Sequence, residues 1–166
     1  MTLDDLKQYT VKAKKALTIN YRGYKLFTTD APSGGAVMLS ILNTMKEYPH
    51  EDVSNQNLTS HRFVEAMKFA YGARQELGDP DFVGNIKGLQ QQMLSAEKAK
   101  EIRNLILDNA TLPMSAYNPQ AVYTVDSQGT SHIVTADGSG MTISSTTTVN
   151  LLFGAQIMTH DTGIIL

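Results

Sequence analysis

Residues 129–150 read Gly129-Thr130-Ser131-His132-Ile133-Val134-Thr135-Ala136, then Asp137-Gly138-Ser139-Gly140, then Met141-Thr142-Ile143-Ser144-Ser145-Thr146-Thr147-Thr148-Val149-Asn150. Two runs rich in β-branched residues flank an Asp-Gly-Ser-Gly turn. That pattern predicts an antiparallel strand pair, Ser131 to Ala136 against Met141 to Asn150. Thr130 stands at the head of the first strand, with Thr148 18 and Asn150 20 residues later. The fold-back brings Thr146-Thr147-Thr148 beside Thr130. Thr148 and Asn150 fall on one face, because side chains alternate along a strand.

The chemistry available to Thr130 depends on whether it becomes a chain terminus. A threonine hydroxyl is a weak nucleophile at neutral pH and needs a nearby base. A free α-amino group, with a pKa near ~7.7–8.0, is such a base. Cleavage after Gly129 would give Thr130 both groups in one residue. Glycine lets the backbone bend so that the hydroxyl reaches the Gly129 carbonyl, and an N-to-O acyl shift followed by hydrolysis would free the terminus. Local pattern alone leaves a second reading open. Thr-rich alternation is also what a solvent-facing hairpin of a sandwich or adhesin shows.

Upstream, the chain has the character of a soluble helical domain. Its 166 residues are 42% hydrophobic and 18% charged, enough for one domain with a sizeable core. A net charge of -2 gives nucleic acid binding no support. Cysteine is absent, which excludes disulfides and thiolate chemistry in this chain. No apolar run is long enough to span a membrane, and no basic stretch leads into an apolar one at the start. Every Lys and Arg lies at or before Arg103, and residues 104–166 carry four acids, Asp108, Asp126, Asp137 and Asp161. That shift marks a change from solvated helices to sheet-forming chain.

Thr2-Leu3-Asp4-Asp5 has capping-box character and predicts a short helix to about Tyr9. Residues 16–29 predict a hairpin or strand pair around Arg22-Gly23. Asp30-Ala31-Pro32-Ser33-Gly34-Gly35 is read as a loop opening a helix from Ala36 to about Tyr48, with Val37, Ile41, Leu42 and Met45 on one face. A longer helix is expected from Ser60 to Leu77, its stripe formed by Phe63, Val64, Met67, Ala70 and Tyr71. Ser95 caps another, with Ala99, Ile102, Leu105 and Ile106 inward. Pro113 and Pro119 mark an extended passage.

Other candidates are weaker. His61 and Glu65 share a helix face and permit a metal, yet no other histidine has ligand spacing, so no metal is expected. Arg62 and Glu65 are expected to pair on the surface. His132 lies on the face of Thr130, although an N-terminal threonine does not need it. Two sequons, Asn57-Leu58-Thr59 and Asn109-Ala110-Thr111, would be glycosylation acceptors on a secretory route.

The ordered motifs resemble those of γ-glutamyltranspeptidases, also called glutathione hydrolases. The likeness rests on Pro32-Ser33-Gly34-Gly35, the run from His61 to Tyr71 with Arg74 and Leu77-Gly78-Asp79-Pro80, and Pro113-Met114-Ser115-Ala116-Tyr117. It continues through Gly129-Thr130, Ser145 to Gly154 and Thr162-Gly163-Ile164-Ile165-Leu166. It implies an α+β, four-layer αββα Ntn-hydrolase fold, here partial. It implies that Thr130 is the nucleophile exposed by autocleavage at Gly129-Thr130, that Thr148 orients it, and that Asn150 contacts the γ-glutamyl group. Residues 1–129 would be the C-terminal part of a large subunit and residues 130–166 the start of a small one, interwoven in one incomplete domain. The two subunits would stay associated.

The implied reaction takes a γ-glutamyl group from glutathione or a related compound, as a threonine ester, and passes it to water or to an amino acid or dipeptide. No cofactor is expected, and the parent protein would enter the secretory pathway. The family's acidic segment, its paired serines and its carboxylate-binding arginine have no counterpart in the 166 residues. The chain is therefore read as a fragment with little activity of its own. Two alternatives remain: a cephalosporin or glutaryl acylase of the same superfamily, and a non-catalytic piece that binds a partner.

Overall fold

The structure is a computed structural model, and it describes residues 2–49, 54–121, 130–149 and 151–166. In chain order the elements are α1 (Leu3–Gln8), β1 (Leu17–Tyr21), β2 (Tyr24–Thr28), α2 (Gly35–Met45), α3 (Gln56–Arg74), α4 (Ile86–Met93), α5 (Ala96–Leu105), α6 (Met114–Tyr117), β3 (Thr130–Ala136) and β4 (Thr142–Thr148). They form two compact units. One is Ala13–Tyr123, and the other joins Met1–Lys12 to Thr124–Leu166. Among the described residues no helix is long and apolar enough to cross a membrane.

The unit Ala13–Tyr123 holds the core. Its hairpin β1–β2 turns through Arg22 and Gly23, whose φ values of 49 and 88 are the paired positive dihedrals that a two-residue turn needs. α2 follows and is buried nearly all round, through Ala36, Val37, Leu39, Ile41 and Met45. The helix starts tight against β2. A Cβ added at Gly35 would lie 2.4 Å from the Thr29 carbonyl oxygen and 2.5 Å from the Thr28 hydroxyl, so only glycine fits there. Ala66, Phe69 and Ala70 of α3, Met93 of α4 and Ile102 of α5 pack into the same cluster. Ser95 caps α5 by accepting from the Lys98 N–H at 3.1 Å, as its position predicts.

α3 departs from the expected stripe. Its buried face is Arg62, Glu65, Ala66, Phe69 and Ala70, while Phe63, Val64 and Tyr71 are exposed. Two charged residues turn inward because each meets a partner there. The Arg62 guanidinium donates to both Asp108 oxygens, Nε and Nη2 each at 2.8 Å, and lies 4.3 Å over the Tyr48 ring. Glu65 accepts from Lys68 at 2.7 Å, from the Thr111 hydroxyl at 2.8 Å and from the Tyr117 hydroxyl. In place of the expected surface pair, Arg62 and Glu65 are themselves buried and each takes other partners, Asp108 for one and Lys68, Thr111 and Tyr117 for the other.

These networks seat the passage that follows α5. His61 Nε2 bonds the Leu107 carbonyl at 2.7 Å, Arg62 takes Asp108, and Glu65 with Lys68 takes Thr111. Tyr117 then crosses α3 at Gly72, where an added Cβ would fall 1.8 Å from the Tyr117 carbonyl oxygen. Its ring meets Phe69 edge-on at 4.8 Å. The passage, read from its two prolines as extended, contains the one-turn helix α6.

In the other unit, α1 carries the expected capping box. The Thr2 hydroxyl accepts from the Asp5 N–H at 3.3 Å, and the Thr2 N–H donates back to Asp5 at 2.7 Å. Every described residue of β3 and β4 is exposed, and Gly154 alone is buried among the described residues of this unit.

Candidate active site

β3 and β4 pair antiparallel with Thr130 opposite Thr148, His132 opposite Thr146 and Val134 opposite Ser144. Thr130 is the first described residue of strand β3. The turn that sets this register is closed by Asp137, whose carboxylate accepts from the Ser139 N–H at 2.9 Å, the Ser139 hydroxyl at 2.7 Å and the Met141 N–H at 3.0 Å. Those donors hold the Asp137 carboxyl below its usual range, the Ser139 hydroxyl foremost. Gly140 takes φ 87, which the tight return requires.

One face of the hairpin carries a column of hydroxyls and one imidazole. Thr130 Oγ1 donates to Thr148 Oγ1 at 3.0 Å. One rung further in, His132 Nδ1 meets the Thr146 hydroxyl at 2.7 Å, and His132 Nε2 meets the Ser144 hydroxyl at 3.0 Å. With its proton directed at Thr148, the Thr130 oxygen keeps its lone pairs for another partner. Both nitrogens of His132 are engaged by β4.

Gly129 and Asn150, expected to flank the cleaved bond and to meet a substrate, lie outside the described residues. Asn57 sits exposed in the first turn of α3, and Asn109 is exposed in the turn after α5. Among the described residues no three His, Asp or Glu side chains gather as a metal site. His61 binds a backbone carbonyl, and Glu65 turns into its own cluster.

That cluster is what local sequence reasoning missed. Burial pushes the Glu65 carboxyl up, but hydrogen bonds from Lys68, Tyr117 and Thr111 together hold it below its usual value. The same contact raises Lys68. The Arg62 guanidinium lowers Asp108. Its signal in the sequence was the Glu65 and Lys68 spacing on a helix, joined to a Tyr and a Thr near Pro113 that only a tertiary contact could select.

Comparison with known proteins gives the family. The gamma-glutamyltranspeptidase family model matches residues 1–166. A glutathione hydrolase of Aspergillus flavus is 46% identical over the whole chain and 28% of its own length. A glutathione hydrolase proenzyme of Arthroderma benhamiae is 44% identical over the whole chain and 29% of its own length. The crystal structure of Helicobacter pylori gamma-glutamyltranspeptidase superposes with a TM-score of 0.62 at 32% identity, covering 69% of this chain and 33% of that one. The mixed helix-and-strand fold is thus similar to that of gamma-glutamyltranspeptidases, which are of the Ntn-hydrolase family. The chain belongs to the gamma-glutamyltranspeptidase family. It spans under a third of the length of these curated relatives.

Proposed function

We propose that the chain is part of an enzyme that transfers γ-glutamyl groups from glutathione and related compounds, with Thr130 as nucleophile. The observation that carries this reading is the 3.0 Å hydrogen bond from Thr130 to Thr148 at the head of the hairpin. Family membership supports it, as do the hydrolase and proenzyme names of the relatives.

In this reading the Gly129-Thr130 bond breaks first, and the new α-amine becomes the base. The Thr130 oxygen attacks the γ-carbonyl and its proton passes to that amine, directly or through a water. The scissile C–N bond breaks, and the leaving amine takes the proton. Water or an acceptor amine then attacks the ester, and Thr130 regains its proton. Thr148 orients the hydroxyl, and Asn150 holds the γ-glutamyl group.

Residues 1–129 then end a large subunit, and residues 130–166 begin a small one within a four-layer αββα body. The remainder of the parent would supply the groups that grip the substrate's α-amine and α-carboxylate. The 166-residue chain alone is therefore expected to be inactive. Exposed Asn57 and Asn109 fit a secretory route for the parent.

Thr130→Ala in the full-length parent tests the reading. Intact mass should show one uncleaved chain, and hydrolysis of a γ-glutamyl anilide should be lost. An uncleaved variant that still hydrolyses the anilide overturns the nucleophile assignment.

A further inference from the structure

We propose that His132 is a positioning residue, a clamp that keeps the first rung of β3 from fraying once Thr130 is a free chain end. This rests on the reading of Thr130 as a nucleophile released by cleavage. Chain termini fray unless tied down, and an edge rung is the first to open. A nucleophile must nevertheless be held to within about 0.5 Å of its working position. Before cleavage, the covalent bond to residue 129 tethers Thr130. Afterwards Thr130 keeps its pairing with Thr148 and the single side-chain bond between their hydroxyls.

His132 is the next residue on that face, and it grips β4 twice. Nδ1 holds Thr146 directly across the ladder at 2.7 Å, and Nε2 reaches diagonally to Ser144 at 3.0 Å. Neutral imidazole donates from one nitrogen and accepts at the other, and a hydroxyl can answer either role. Imidazolium donates from both. The clamp therefore survives a change in the ring's protonation. With both nitrogens occupied by β4, the ring has none left for the Thr130 proton. Exposed hydrogen bonds are individually modest, so two in parallel beside the terminal rung are what separate a closed hairpin end from an open one.

The test uses the full-length parent, comparing His132→Ala, His132→Asn and Ser144→Ala with the unsubstituted protein. A clamp predicts a split. Cleavage at 129–130 should proceed within about twofold of normal, while kcat of the cleaved enzyme falls about tenfold in His132→Ala, the effect of losing roughly two hydrogen bonds. KM for a γ-glutamyl anilide should stay within about twofold, and the acid limb of the pH–rate profile should not move. His132→Asn, which keeps a polar group where Nδ1 meets Thr146, should recover more than half of kcat, and Ser144→Ala should fall between. Hydrogen exchange of residues 131–133 in the cleaved enzyme should quicken in His132→Ala.

Unchanged kcat and exchange would overturn the proposal. So would loss of the acid limb without rescue by His132→Asn, which would make the ring a proton-transfer group, or equal slowing of cleavage and turnover. The exchange readout stands apart from chemistry. If Thr130→Ala in otherwise unsubstituted parent retained turnover, the nucleophile reading would fall, whatever the His132 variants showed.

Discussion

The Tyr117 hydroxyl donates to the Glu65 carboxylate from 52 residues further along the chain, inside a core where the Glu65 side chain is 1% exposed. The same hydroxyl accepts from the Leu112 N–H at 2.7 Å. Tyr117→Phe removes both bonds, together with a third to the Thr111 hydroxyl at 3.0 Å, and leaves the phenyl ring against Phe69. The chain should lose about 1–3 kcal/mol, the range for leaving a buried polar group short of a partner. Urea unfolding should show a lower midpoint with an unchanged slope.

Gly72→Ala should destabilise despite alanine's advantage of about 1 kcal/mol within a helix. Its Cβ would stand 1.8 Å from the Tyr117 carbonyl oxygen, so α3 and the passage must separate. Gly84→Ala, in the turn before α4 where an added Cβ meets nothing within 4 Å, is a control for the steric effect and should be near neutral. Equal melting temperatures for the two variants would contradict the close approach at Gly72.

Acid should unfold the helical unit in a defined window. Glu65 and Asp108 have folded pKa values below their usual 4.5 and 3.8, so the folded state binds fewer protons than the unfolded one. Their contribution is present above those usual values and is lost as pH falls toward the depressed ones. Lys68 has the opposite sign. Its pKa is raised above 10.5, so its contribution is complete below that value and lost as pH rises through the raised one. Stability should therefore be flat through neutrality, decline below about pH 4.5 and decline again above about 10.5. In Glu65→Gln the acid decline should shrink, as read by circular dichroism against pH.

In the full-length parent, Thr148→Val keeps the shape of the side chain but leaves the Thr130 hydroxyl without its 3.0 Å partner. Turnover should fall by about 10–100-fold, the scale of a misplaced reacting group. Thr148→Ser, which keeps the hydroxyl, should retain most activity. Steady-state hydrolysis of a γ-glutamyl anilide separates the two.

Elements with a local physical cause could be read from the sequence. Arg22-Gly23 marked a hairpin because the turn demands positive φ, and Thr2-x-x-Asp5 marked a cap because two short side chains reach two free N–H groups. The spacing of Thr130 and Thr148 about the Asp137 turn anticipated their facing positions. α4 escaped notice. Asn85 enters it at φ 60 with no side-chain cap, and Gln90 fills a buried position where an apolar residue would have signalled a helix. The inward face of α3 escaped for a related reason. Arg62 and Glu65 meet partners 46–52 residues away in sequence, and no local periodicity carries that information. Phe63 and Val64 looked inward only because charge was assumed to look outward.

The passage from Leu107 to Tyr117 meets α3 at His61, at Arg62, at Glu65 with Lys68, and at Gly72, always in the same direction. Over that interval the helix rises roughly 16 Å at about 1.5 Å per residue. A segment pinned at successive rungs of a rigid ruler is calibrated by its length. Inserting or deleting one residue between Asp108 and Tyr117 would shift every later contact off its mark, so this stretch behaves as a measured spacer although it contains only one turn of helix.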